Sequence, residues 1–126
     1  MALIRSKNTK PEMVVRRLAH KLGFRFRLHR KDLPGRPDMS FPSRRAVVLV
    51  NGCFWHGHDC PKGRRHPKSN TSYWEAKIAG NVARDMMSSA NLQALGWRVM
   101  IVWECETNPK RRQELADRLL EFLGRG

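Results

Sequence analysis

The run Ala46-Val47-Val48-Leu49-Val50 is unbroken, apolar and rich in β-branched residues, and it ends directly in Asn51-Gly52-Cys53-Phe54-Trp55-His56-Gly57-His58-Asp59-Cys60. Such a run reads as a strand buried on both faces, at the centre of a sheet that needs cover on either side. The segment after it gathers two cysteines, two histidines and two adjacent aromatics. Thiolate and imidazole donors at this spacing suit zinc, which takes four such ligands tetrahedrally. Cys53 and Cys60 supply two, either His56 or His58 a third, and the distant Cys105 closes the set as in a structural site. Spacing alone does not choose between the histidines. Asp59 and His66 are poorer candidates, because four better donors already exist.

Around the central strand the chain reads as α-β-β-β-α-β-α. Thr9-Lys10-Pro11-Glu12 opens a helix, with Thr9 as N-cap, Glu12 closing a capping box and Pro11 in the first turn. Val14, Val15, Leu18 and Leu22 keep helical spacing, and Gly23 stops it. Phe24-Arg25-Phe26-Arg27-Leu28 alternates strictly, as a half-buried strand with an arginine face would. The turn Leu33-Pro34-Gly35-Arg36-Pro37 leads into a strand at Asp38-Met39-Ser40-Phe41. Ser72-x-x-Glu75 is a second capping box, opening a long helix to about Leu95. Gly96 stops that helix, and Gly80 weakens it by about 1 kcal/mol relative to alanine.

Trp97-Arg98-Val99-Met100-Ile101-Val102-Trp103 alternates again, with both tryptophans on one face and expected in the core. Asn108-Pro109 begins a last amphipathic helix through Leu115, Leu119, Phe122 and Leu123. The third and fourth strands are joined by a helix, so they can run parallel through a right-handed crossover. Cys53 and Cys105 then leave the same edge of the sheet, and the zinc set and the fold support each other.

The 126 residues read as one domain, 1–126, with no linker long enough to divide it and a short basic arm at 1–8 carrying Arg5 and Lys7. No apolar run reaches the roughly 18 residues of a membrane span, and the N-terminus lacks the apolar core of a signal peptide. Three cysteines among histidines point to metal ligands in a reduced cytoplasm rather than to disulfides. Lys and Arg number 25 against 11 Asp and Glu, a formal net charge of +14. A small domain this basic meets polyphosphate, which means DNA or RNA.

Three further groups carry chemistry. Asp38, after Pro37, is a carboxylate suited to Mg²⁺, a hard ion that relies on few protein ligands. Glu12 adds a second carboxylate if its helix packs beside that strand edge; capping alone is the plainer reading. His56, if zinc takes His58, is free to exchange protons near neutrality. Phe54, Trp55 and Trp74 suit a wedge that unstacks base steps.

Taken together, Asn-Gly-Cys-Phe-Trp-His-Gly-His-Asp-Cys, Leu-Pro-Gly-Arg-Pro-Asp, Gly-Trp-Arg-Val-Met-Ile-Val-Trp-Glu-Cys and Arg-Ser-Lys-Asn resemble the very short patch repair endonucleases, from Arg5 to the last helix. The resemblance implies a restriction-endonuclease-like α/β fold, a central mixed sheet flanked by helices, with a structural zinc site. It implies a Mg²⁺-dependent nick in duplex DNA 5′ of the thymine in a T:G mismatch, which arises when 5-methylcytosine deaminates. By motif, Asp38 is the principal Mg²⁺ ligand with the carbonyl of Val50, Glu12 holds water on that ion, and His56 is the general acid/base. Zinc takes Cys53, His58, Cys60 and Cys105, and Phe54, Trp55 and Trp74 are the wedge. Arg5, Lys7, Arg36 and Asn51 complete the DNA-contacting set.

Two departures matter. The central strand lacks the Glu-x-Lys that usually follows Pro-Asp in related nucleases, which suits a His56-based branch. Asn51 stands where the best-known family pattern has histidine, removing one aid to water activation or phosphate contact. The implied setting is the bacterial cytoplasm and its nucleoid, as a monomer, with mismatch-repair proteins as candidate partners. A non-catalytic zinc module that binds nucleic acid, and a related nuclease without mismatch specificity, are the alternatives.

Overall fold

A computed structural model describes residues 9–54, 56, 58, 60 and 69–124. Arg5 and Lys7 of the arm, Trp55, and most of the basic loop at 61–70 lie outside the described residues. The elements are α1 (Lys10–Lys21), β1 (Arg27–Leu28), β2 (Met39–Phe41), β3 (Ala46–Asn51), α2 (Thr71–Ala94), β4 (Arg98–Trp103) and α3 (Arg112–Gly124), with short 3₁₀ turns before β3 and α3. The sheet order is β1-β2-β3-β4. The β1/β2 and β2/β3 pairs are antiparallel, and β3 and β4 are parallel, in register from Ala46↔Arg98 to Asn51↔Trp103. The expected mixed sheet flanked by helices is the observed one.

Strand β3 is covered on both faces, as its composition requires. Ala46 and Val48 point into a cluster with Val15 and Ala19 of α1 and Leu115, Leu119 and Leu123 of α3. Val47 points the other way, onto Leu33, Leu92 of α2 and Trp97. The sheet is thus a middle layer, with α1 and α3 on one side and α2 on the other. Among the described residues, no helix is long and apolar enough to cross a membrane.

Several local expectations change. The alternation at 24–28 pairs only at Arg27–Leu28: Phe24 is buried against α1 and α3, while Arg25, Arg27 and Leu28 are exposed. The chain is returning from a helix there and reaches β2 late, so packing of Phe24 replaces strand pairing. The Ser72 capping box does not form; α2 starts at Thr71 after Asn70, whose left-handed backbone makes the turn without a side-chain cap. Thr9 does cap α1, accepting the Glu12 N–H at 3.4 Å, but the Glu12 side chain is directed elsewhere. The last helix opens with a 3₁₀ turn, where Asn108 Oδ1 accepts the Lys110 N–H.

Part of the basic charge is structural. Arg44 and Arg98 donate to the carbonyls of Leu123 and Phe122, and Arg45 to that of Leu95. These are the carbonyls that helix ends leave without intrahelical partners. Gly35 lets the 33–37 turn lie against α2: its φ is +72°, and a Cβ there would meet Ser88 Cβ at 2.7 Å. That close approach sets the loop before Asp38 beside the middle of α2.

Candidate active site and metal-binding cluster

Asp38 sits at the mouth of β2, where its Oδ2 accepts the N–H of Val50 on β3 at 2.7 Å. Burial pushes its carboxyl up to about 6; the Val50 N–H opposes the rise, the facing Glu12 carboxylate adds to it, and His29 opposes it. Glu12 itself is 1% exposed. It reaches the same place from α1, bonding Arg16 one turn on and His29 Nε2 at 2.7 Å through Oε2. Two carboxylates in buried contact suit a cation between them. The donor atoms of Glu12, His29 and Asp38 all lie within 4.8 Å of one another. An octahedral ion with bonds of about 2.1 Å sets neighbouring donors roughly 3 Å apart and opposite ones roughly 4 Å apart, so the group fits a divalent cation.

His56 lies across the opening. Its Nδ1 is 2.5 Å from Asp85 Oδ2, a residue in the middle of α2. A carboxylate on one ring nitrogen fixes the ring's orientation and leaves the other to face the cleft. Asp38, Val50, Asn51, His56, Asp85 and Arg36 all line this cleft, of about 450 Å³. Asn51 is buried at the end of β3, and Arg36 holds a left-handed backbone at φ 46° on the turn before Asp38.

The second cluster grows from the strand register. Asn51 and Trp103 are partners, so Cys53 and Cys105 emerge two residues further on at the same edge. The Cys105 N–H approaches Cys53 Sγ at 3.4 Å, and Cys105 Sγ is 3.6 Å from His58 Nδ1. Donor atoms of Cys53, His58, Cys60 and Cys105 lie within 4.8 Å of one another. Three sulfurs and one imidazole fit tetrahedral zinc, whose ligands sit about 3.5–4 Å apart. Burial pushes the Cys53 thiol up to about 12, opposed by the Cys105 N–H. A buried thiol of that kind needs a cation to become a thiolate. Trp103, expected in the core, instead stacks on His58 with centroids 4.2 Å apart and planes 13° from parallel. It braces a ligand, because at this end of the strand a cleft lined by Val82, Asp85, Met86, Ile101 and Trp103 lies between the sheet and α2.

Relatives place this architecture. Residues 1–62 match the family model described as DNA mismatch endonuclease Vsr. The chain is 40% identical over 130 residues to the DNA mismatch endonuclease Vsr of Escherichia coli K12, covering 94% of this chain and 83% of that protein. It belongs to the Vsr family. The type II nicking enzyme V.XorIIP of Xanthomonas oryzae pv. oryzae is 60% identical over 106 residues, 84% of this chain and 77% of that protein. In structure, the catalytic domain of the homing endonuclease I-Bth0305I matches with a TM-score of 0.62 at 16% identity, over 91% of this chain and 94% of that one, a likeness of fold.

Within this Vsr-family chain, the structure gathers Asp38, Glu12, Val50, Asn51 and His56 at one cleft, and Cys53, His58, Cys60 and Cys105 beside it. Phe54 meets Trp74 edge to face at 5.6 Å, and Tyr73 meets Trp74 at 5.1 Å. Tyr73, 57% exposed, joins the aromatic group unannounced by the sequence reading. Asp85 and His29 were also missed. Aspartate is a weak helix former, and its place mid-helix in α2 was the available signal for Asp85. His29 lies just past an alternation that ends early, so the strand pattern concealed it.

Proposed function

We propose that this chain nicks duplex DNA on the 5′ side of the thymine in a T:G mismatch, by divalent-cation-assisted hydrolysis of one phosphodiester. The observation that carries the reading is the convergence of Asp38, Glu12 and the His56–Asp85 pair on one cleft in a Vsr-family chain. Asp38 and Glu12, with the Val50 carbonyl at the strand end, would hold Mg²⁺. When bound, that ion supplies positive charge against the charge developing on the scissile phosphate.

His56 takes a proton from the attacking water or gives one to the leaving oxygen, and Asp85 holds the ring for it. Arg36 on the cleft rim and the exposed Arg25 and Arg27 meet backbone phosphates. Phe54, Trp55 and Trp74 open the base step beside the mismatch, and Tyr73 backs Trp74. Cys53, His58, Cys60 and Cys105 would hold zinc, pinning the 53–60 loop that carries both His56 and Phe54.

The test is a labelled duplex with one T:G mismatch beside its fully paired control, with Mg²⁺ and with EDTA. The expected result is one nick 5′ of the mismatched thymine, with Mg²⁺ only. Equal cutting of both duplexes would leave a nuclease without mismatch specificity. Binding without cutting would overturn the catalytic reading in favour of a zinc-containing DNA-binding module.

A further inference from the structure

The His29 ring occupies a position that charge balance does not account for. The residue directly follows β1, opposite Asp38, whose carbonyl accepts the His29 N–H at 3.2 Å. Its backbone is left-handed, φ 48°, an uncommon conformation for side-chain-bearing residues that histidine adopts more readily than most. The result is that the imidazole turns inward, and Nε2 lies 2.7 Å from Glu12 Oε2. Neutralising Glu12 would not require it, because Arg16 already bonds that same oxygen.

What the ring does add is a third donor facing the two carboxylates, with all three donor atoms within 4.8 Å of one another. His29 and Asp38 line the same cleft as His56, whose own ring is held by Asp85.

We propose that His29 is a nitrogen ligand of the divalent cation held by Asp38 and Glu12, so that the site takes Mn²⁺ in preference to Mg²⁺. The inference rests on the reading that Asp38 and Glu12 hold a cation at all. Its chemistry is that of mixed donors. Mg²⁺ is bound through oxygen and keeps its waters, whereas first-row transition ions gain from imidazole. To coordinate, His29 Nε2 turns its lone pair from Glu12 Oε2 to the ion, and any proton it carries passes to solvent.

The test uses zinc-loaded full-length protein and Mn²⁺ alone as the probe, read by pulsed electron paramagnetic resonance. Bound Mn²⁺ should show modulation from a directly coordinated nitrogen, and ¹⁵N-imidazole labelling of histidine should change its signature. The modulation should survive in His56→Ala and vanish in His29→Gln. Mn²⁺ affinity in His29→Gln should fall on the order of tenfold, while Mg²⁺ affinity changes far less. Bound Mn²⁺ without nitrogen modulation in the wild type would overturn the assignment of His29 and leave the carboxylate site standing. Modulation lost in His56→Ala would overturn it equally. No Mn²⁺ bound by the wild type, or binding unchanged in Asp38→Asn, would overturn the cation site itself. Should His29→Gln fail to fold, the labelled wild type and His56→Ala together still decide the ligand.

Discussion

Nδ1 of His56 and Oδ2 of Asp85 lie 2.5 Å apart, tying the loop after β3 to the middle of α2. The contact spans two elements on one face of the sheet, and it holds the ring at the cleft that also contains Asp38. His56→Ala should lower the single-turnover nicking rate by about 10²–10⁴-fold, the range of general acid–base catalysis, with DNA affinity little changed. Asp85→Asn should give a smaller loss, because the ring stays but its orientation and tautomer are less well set. The double variant should be no slower than His56→Ala alone, as expected for residues that act as a unit. Additive losses in rapid-quench assays would show that Asp85 works independently.

The cysteine cluster makes a prediction about stability. Its four donors come from the loop after β3 and the turn after β4, so an ion there would lock together two segments that otherwise touch through weak contacts such as the Cys105 N–H on Cys53 Sγ. A ligand bound to the folded state alone adds about 4 kcal/mol at a free concentration 1,000 times its Kd. Chelation, or Cys105→Ser, should therefore lower the Tm and release zinc, measured by calorimetry and metal analysis on the same samples. An unchanged Tm with full metal loss would remove zinc from the account of the fold.

Much of this was legible in local pattern, and the reason differs by element. The apolar run 46–50 had to be central, and the helix between it and the next strand made a parallel pair reachable. The register then brings Cys53 to Cys105. Asp38 was marked by its turn, and the cysteines by their spacing. Asp85 and His29 were not, because each matters through a partner far away in sequence: one by way of the long helix, the other by a single left-handed residue. Trp103 was misplaced for a related reason. Alternation tells which face a side chain takes, but the cleft that opens between α2 and this end of β4 is a tertiary fact. Glu12 shows the reverse: the capping box expected of it does not form, and its buried carboxylate is directed at His29 and Arg16 instead.

Trp74 links Phe54 on the zinc-type loop to exposed Tyr73 on the first turn of α2. If these rings enter a base step, Trp74→Ala should weaken binding to T:G duplex by about 1–3 kcal/mol, the range for one base–aromatic stack. Binding to the paired control should weaken less, since charge supplies most of it and charge is unchanged. Fluorescence anisotropy at two salt concentrations separates the terms: the mutation should shift the affinity without altering the salt slope. Equal weakening on both duplexes would make the aromatics a packing feature of α2.

Asp38 is held in a state that costs the fold. Its folded-state value of about 6 exceeds the ordinary 3.8 because burial and the facing Glu12 disfavour the carboxylate. A raised carboxyl stabilises the fold relative to the ionised form only at low pH. The benefit is complete below about 3.8, declines as pH climbs, and is gone above about 6. At neutral pH the ionised group is thus a net cost, at most about 3 kcal/mol for a displacement of this size. Asp38→Asn keeps an oxygen for the Val50 N–H and removes the charge. In cation-free buffer at pH 7.5 it should raise the Tm over wild type, and the gain should shrink towards zero as the pH is lowered to 4. Adding the divalent ion should stabilise the wild type and not the variant, while nicking by the variant is abolished. A variant less stable than wild type at pH 7.5 without cation would show that the Asp38 charge is already compensated by His29 and the Val50 N–H, and that the site carries no strain for an ion to relieve.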